Sequence, residues 1–297
     1  MKVLQTPEER FENIPDFPYE PHYLEIDGIR IHYLDEGPKN QECVLLMHGE
    51  PSWCFLYRHM ILIISEAGFR TVAPDLVGFG KSDKPTKQTD HTYQKHVEWM
   101  TKWMVQLDLN KITLFCQDWG SLIGLRMAIE NQERFDRIML SNGGLPTGVG
   151  MVSNAFQKWR EFSRSSKEFD IGRIVQNGTT NELSAEVLKG YNAPFPDDSY
   201  KAGARIMPSL VPISRDDPEH RANKKAVKMF REWNKPFITA FSDSDPITRG
   251  GDRLWQEHVL GAKGQPHTTI NGAGHFVQED KGPELANLII TFIKNNP

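Results

Sequence analysis

The sequence is short of cysteine: the three thiols, Cys43, Cys54 and Cys116, are odd in number and lack the paired spacing of a zinc site. That argues against a disulfide framework and against a structural metal centre. Reduced thiols and a cytoplasmic location are the expectation. There is no long hydrophobic run either, and the opening MKVLQTPEERFENIPDFPYEP is polar and proline-rich, so neither a membrane span nor a signal peptide is expected. Excess charge of one sign is also missing. With 35 Lys and Arg against 39 Asp and Glu, the formal net charge is −4, which offers no broad attraction to nucleic acid or anionic membranes. Finally, GFGKSD at 78–83 follows an apolar run but lacks the GxGxxG order of a dinucleotide site, and no cofactor is called for.

What is present is a chain of 297 residues with 38% hydrophobic and 25% charged residues, enough apolar material to bury one large core with a substantial insertion. The stretch YLEIDGIRIHYLDEG, 23–37, has two alternating runs around Asp27-Gly28, a strong hairpin signal, so the chain opens with antiparallel strands. The runs at 44–49, 69–75, 112–117 and 137–143 are short, apolar and hardly alternating, as strands buried on both faces are. Helical patterns at 53–66, 93–107 and 121–130 separate them, and this alternation predicts a mostly parallel sheet with right-handed crossovers. Strand signals return at 237–242 and 267–270, before an amphipathic helix near 283–294. The intervening residues 147–230, rich in charge, aromatics and helix formers, break the pattern. The reading is an α/β core domain formed by 1–146 and 231–297, with a helical cap domain at 147–230 roofing the carboxyl ends of the strands. The basic cluster KKAVK, 224–228, is a solvated helix face.

Chemistry concentrates at FCQDWGSLIGLR, 115–126, which reads as strand end, sharp turn and helix start. Cys116, Gln117, Asp118, Trp119 and Gly120 give the pattern small, x, nucleophile, x, small that a nucleophile elbow requires. By itself the stretch serves equally well as a helix capped by Asp118. An elbow hydrolase also needs an acid after a late strand and a histidine after the last one. FITAFSDSDPITRG supplies Asp243 and Asp245, and INGAGHFVQED supplies His275. Asp245 is preferred as the acid because Pro246-Ile247 follow it as in the usual acid loop, with Asp243 in reserve. HGEPSW, 48–53, completes the set: in elbow hydrolases the backbone N–H groups after this His-Gly and after the nucleophile form the oxyanion hole, here those of Glu50 and Trp119. His48 is expected to shape that loop.

Taken together, HGEPSW, DLVGFGKSD, CQDWGSLIGLR, FSDSDPI and GAGHFVQED resemble the haloalkane dehalogenases of the α/β-hydrolase fold, in particular the branch with Glu in the His-Gly-x-Pro loop. The resemblance spans most of residues 20–295, and AFQKW and NAPFPDDSYKAG are similar to that branch's cap. It implies Asp118 as nucleophile, His275 as general base and Asp245 as its partner, with Trp119 and Trp159 binding the halide. Phe156, three residues before Trp159 on a helix, would share its face and line the pocket. The implied partners are a small halogenated alkane, water and halide, with neither metal nor cofactor, acting in a monomer. An epoxide hydrolase would use the same Asp, His and Asp with cap tyrosines as acids, and Tyr191 and Tyr200 are available. A fluoroacetate-type enzyme would have arginine where Trp119 stands, and a serine esterase would have serine at the elbow. A noncatalytic receptor of this fold would lack a member of the set.

Overall fold

In the computed structural model, residues 1–39, 42–150 and 152–297 are described. Eight strands form one sheet: β1 (His22–Ile26), β2 (Ile29–Glu36), β3 (Cys43–Met47), β4 (Arg70–Pro74), β5 (Ile112–Cys116), β6 (Phe135–Leu140), β7 (Phe237–Ser242) and β8 (Thr268–Ile270). Their spatial order is β1-β2-β4-β3-β5-β6-β7-β8, with β1 to β2 and β2 to β4 antiparallel and the remaining pairs parallel. The opening hairpin turns on Asp27 (φ 52°) and Gly28 (φ 75°), the two positive φ angles a tight primed turn requires. Every residue of β3, β5 and β7 is buried, which is why their sequences show no alternation.

Helices α1 (Arg58–Glu66), α2 (Tyr93–Gln106) and α3 (Trp119–Glu130) make the first crossovers. The path from β3 to β4 runs one way along the sheet, and those from β4 to β5 and on to β6 run the other way. With right-handed crossovers, α1 therefore covers one face and α2 and α3 the opposite one. The C-terminal helix α10 (Val277–Asn295) packs on α1. Between β6 and β7 lie α4 (Asn154–Ser165), α5 (Ile171–Asn177), α6 (Ala185–Asn192), α7 (Ala202–Leu210) and α8 (His220–Phe230), and α9 (Asp252–His258) joins β7 to β8. Side-chain N-caps start several of these: Ser153 for α4, Asp170 for α5 and Ser184 for α6. Among the described residues no helix is long and apolar enough to cross a membrane.

Three element boundaries differ from the sequence reading. The helix expected at 53–66 begins as a 3-10 turn, Cys54–Tyr57, because Trp53 is extended and the Cys54 N–H is taken by Asp75 Oδ1 at 2.8 Å. The helix expected at 121–130 starts at Trp119, directly on the elbow. The last helix starts at Val277 rather than near Pro283. It breaks at Lys281 (φ −140°, ψ 32°), two residues before a proline that cannot donate to the preceding turn. Helix α8, inside the expected cap segment 147–230, packs on α3: Arg126 of α3 reaches Glu219 at 3.1 Å and Asn223 at 3.0 Å. On α8, Asn223, Ala226 and Phe230 point inward, while Lys224, Lys225 and Lys228 are exposed, the solvated face read from KKAVK.

Candidate active site

The register of the sheet brings the site together. Met47, the last residue of β3, pairs with Cys116, the last of β5, so the segments beginning at His48 and Gln117 leave the sheet side by side. This is where the chain changes direction along the sheet, the place where open α/β sheets hold ligands. Cys116 pairs in turn with Leu140, Leu140 with Thr239, and Ser242 with Ile270. The loops after β6, β7 and β8 thus join the same end.

Asp118 has φ 50° and ψ −130°, a conformation that is costly for a residue with a Cβ and that here carries the chain from strand to helix. Its N–H is held by Asn142 O at 3.0 Å, and its carbonyl accepts the Ser121 hydroxyl at 2.6 Å. The turn is tight enough that a Cβ on Gly120 would lie 2.0 Å from Met47 O, and one on Gly49 would lie 2.4 Å from the Asp118 Cβ. The carboxylate does not cap α3. Instead Oδ1 accepts the Glu50 N–H at 2.8 Å, and Oδ2 lies 3.4 Å from His275 Nε2. The Trp119 N–H, at the first position of α3, is among the donors for which the helix has no carbonyl.

His275 is positioned from behind by Asp245, whose Oδ2 is 3.0 Å from Nδ1. Asp245 is itself fixed by the Ile247 N–H at 2.8 Å and by the Thr248 hydroxyl. Asp243 lies elsewhere: its exposed carboxylate accepts the Gly272 N–H at 3.0 Å and so braces the histidine loop. Of the two aspartates, then, the structure brings Asp245 to the imidazole. Burial works against a charged imidazole, but the Asp245 carboxylate and then that of Asp118 outweigh it, pushing the His275 pKa up to about 10. Burial likewise tends to raise Asp245, while its charge and hydrogen-bond partnership with His275 brings it down to about 2.

Two supporting residues escaped the sequence reading. The Asn142 amide donates to the carbonyls of Gly274 at 2.9 Å and His275 at 3.0 Å, and the Gln117 amide donates to the His275 carbonyl at 3.1 Å. A polar residue just past the end of a central strand was the available signal. His48 behaves as expected for a loop-shaping residue: its Nε2 accepts the Leu76 N–H at 2.9 Å while Nδ1 faces Gly49 O. The cluster of His32, Cys54 and Asp75 is also structural. Asp75 Oδ1 takes the Cys54 N–H, and Oδ2 takes His32 Nδ1 at 2.7 Å and the Lys81 N–H at 2.8 Å, tying HGEPSW to DLVGFGKSD.

The helices after β6 reach over these loops. Gly178 O accepts the Phe276 N–H at 3.1 Å, the Thr180 N–H donates to Asp280 at 3.0 Å, and Trp53 Nε1 donates to Gly190 O at 3.1 Å. Trp119 is 2% exposed, with Tyr93 edge-on at 5.0 Å. On α4, Trp159 and Phe156 are half-buried against the core. The Tyr191 hydroxyl is bound to Glu279, which pairs with Arg58 at 2.7 Å. Tyr200 is half-buried against the core.

An aspartate at a strand-to-helix elbow, facing a histidine that follows the last strand and a backbone donor after β3, is the arrangement of a hydrolase of the α/β-hydrolase fold, and the family model for that fold matches residues 42–282. Whole-chain comparison is narrower. Haloalkane dehalogenase from Psychrobacter cryohalolentis is 54% identical over 302 residues, covering 100% of both chains, and that from Mycolicibacterium paratuberculosis is 49% identical, covering 98% of each. The structure of haloalkane dehalogenase DpaA from Paraglaciecola agarilytica NO2, a tetramer, superposes with a TM-score of 0.90 at 34% identity, covering 97% of each chain. The chain belongs to the haloalkane dehalogenase family and is a hydrolase acting on carbon–halogen bonds.

Proposed function

We propose that Asp118 opens the reaction by displacing halide from a saturated carbon, forming an alkyl ester that water, activated by His275, then hydrolyses to an alcohol. The observation that carries this is the position of the Asp118 carboxylate. It is presented at an elbow with one oxygen on the Glu50 N–H and the other 3.4 Å from His275, rather than spent on the helix it precedes. Halide leaves without a proton, so no acid is required. Its growing charge needs donors that do not pair with Asp118, and the indole N–H groups of Trp119 and Trp159 suit that role. Phe156 lines the apolar side of the chamber. Neither metal nor cofactor enters this scheme.

The electrostatics support a change of role for His275 between the two steps. Before substrate reacts, two carboxylates hold the imidazole in its charged form. Esterification removes the Asp118 charge, so the imidazolium loses one of its two partners and its pKa falls; it releases its proton to solvent more readily, and the neutral form that results draws a proton from water. Asp245 keeps the ring oriented and stabilises the charge that returns. The oxyanion formed on the ester is received by the N–H groups of Glu50 and Trp119. Epoxide opening is less well served, because the Tyr191 hydroxyl is committed to Glu279.

We further assign the chain to the branch with Glu after His-Gly. Its cap consists of α4–α7, with α8 returning to the core, and the protein is a cytoplasmic monomer; light scattering on purified protein tests the last point. The mechanism is tested by trapping. His275→Gln incubated with 1-bromobutane is expected to gain one butyl group on the peptide containing Asp118, with one equivalent of bromide released. An unmodified peptide, with the wild-type protein still turning over, would refute covalent catalysis at Asp118.

A further inference from the structure

Beneath the site Tyr57, Gln278, Gln117 and His275 form one hydrogen-bonded chain, and each link has a fixed sense. The Tyr57 hydroxyl donates to Met47 O at 2.7 Å, since a carbonyl can only accept. Gln278 must therefore turn its amide nitrogen to the Tyr57 oxygen, at 3.3 Å, and the same nitrogen lies 3.4 Å from Gln117 Oε1. At the other end the Gln117 nitrogen donates to the His275 carbonyl at 3.1 Å, which an oxygen in its place could not do. Tyr57, Gln117 and Gln278 are fully buried, so the two amides cannot exchange these partners for bulk water. The consequence falls on the imidazole. The Gln117 nitrogen is also 3.1 Å from His275 Nε2, and its second hydrogen is the one left to face that atom.

His275 Nε2 thus stands between opposed neighbours. Asp118 Oδ2, at 3.4 Å, is an acceptor and calls for a proton on Nε2, whereas the Gln117 N–H is a donor and calls for a lone pair there. We propose that Gln117 is a positioning residue for the second step, whose amide N–H favours the neutral imidazole and readies it as a base once Asp118 carries the alkyl group. This rests on the reading of His275 as the base that activates water. The other titratable groups around the ring are Asp245, 3.0 Å from Nδ1, and the carboxyl of Glu50 in the loop after β3, which burial first and the Asp118 charge second keep neutral. Asp245 supports the charged ring throughout the cycle, so after esterification the Gln117 amide is the polar neighbour that opposes it. Asn142 also holds the His275 carbonyl, at 3.0 Å, so the loop keeps an anchor when Gln117 is replaced.

The test replaces Gln117 by Met, which keeps the length of the side chain and removes the donor; circular dichroism melts establish that the variant is folded. The first readout is the His275 titration midpoint, from proton–nitrogen spectra of ¹⁵N-histidine-labelled protein. It is compared between Asp118→Asn and the double variant that adds Q117M, because an amide at 118 imitates the alkylated state. The midpoint is expected to rise by about one pH unit on loss of the donor. The second readout is rapid-quench single turnover of 1-bromobutane in wild type and Q117M, with bromide reporting the first step and butanol the second. Bromide release is expected to stay within about threefold of wild type at pH 7. Butanol formation is expected to slow about three- to tenfold at pH 7, since the neutral fraction falls about tenfold per pH unit while the ring becomes a stronger base. By pH 10 the deficit closes. An unchanged midpoint overturns the proposal, as does a butanol deficit as deep at pH 10 as at pH 7, which is the mark of a merely structural role. Should Q117M fail to fold, Gln117→Asn answers the same question, since its amide is one methylene too short to reach Nε2 and must give the same upward shift. If His275→Gln traps no alkyl group on Asp118, it is the two-step reading that falls, while the midpoint comparison still decides what Gln117 does to the ring.

Discussion

Replacing Asp118 by Asn leaves a group of the same shape without its charge, and so imitates for His275 the electrostatics of the alkylated enzyme. The Asp118 oxygen lies 3.4 Å from His275 Nε2. At an effective dielectric constant of about 20, that separation corresponds to about 5 kcal/mol. The Asp118 side chain is 22% exposed, and solvent reduces this to roughly 2 kcal/mol. The His275 titration midpoint, near pH 10 in the resting protein, is therefore expected to fall by about 1.5 pH units in Asp118→Asn. Proton–nitrogen correlation spectra of ¹⁵N-histidine-labelled protein between pH 6 and 11 measure it directly. The sign extends to stability. Because the folded value is raised, the contribution from charged His275 is complete below its ordinary value of 6.5 and is lost as pH rises through about 10. Thermal melts of the wild type should thus decline across that window more steeply than those of Asp118→Asn. An unchanged midpoint in the variant would show that the Asp118 charge does not control the base, and the proposed switch between the two steps would be wrong.

Asp245→Asn should lower bromide turnover by roughly a thousandfold, because an amide cannot stabilise the imidazolium. Asp243→Asn, which alters only an exposed brace of the same loop, should stay within about tenfold of wild type; steady-state halide release compares the two. Glu279→Gln removes the partner of Arg58, and both side chains are almost fully buried. The loss is expected to be about 3–5 kcal/mol, seen as a fall of roughly 10 °C in Tm.

The elements that could be read from the chain were those whose signal is local. The hairpin at Asp27-Gly28 depends on two residues that tolerate positive φ, and the buried strands β3, β5 and β7 depend on short unbroken apolar runs. Where an element's edge is decided by a distant partner, the reading slipped. Residues 54–57 form a 3-10 turn because Asp75, 21 residues further on, takes the Cys54 N–H. Asn142 and Gln117 went unread for the same reason, since their work is to hold a carbonyl more than 130 residues away.

Residue types in order along the chain were enough to mark an elbow with Asp at its apex, an acid loop, a histidine loop and a His-Gly loop, because each must follow a strand and each carries its own small-residue or turn signature. Two of the preferences they supported rested on neighbouring motifs alone: that Asp118 faces the histidine rather than capping its helix, and that Asp245 rather than Asp243 stands behind His275. Both depend on the direction of one carboxylate, and direction is settled by the pairing of Met47 with Cys116 and of Ser242 with Ile270. Strand register is a property of the assembled sheet, so only the tertiary structure could decide them.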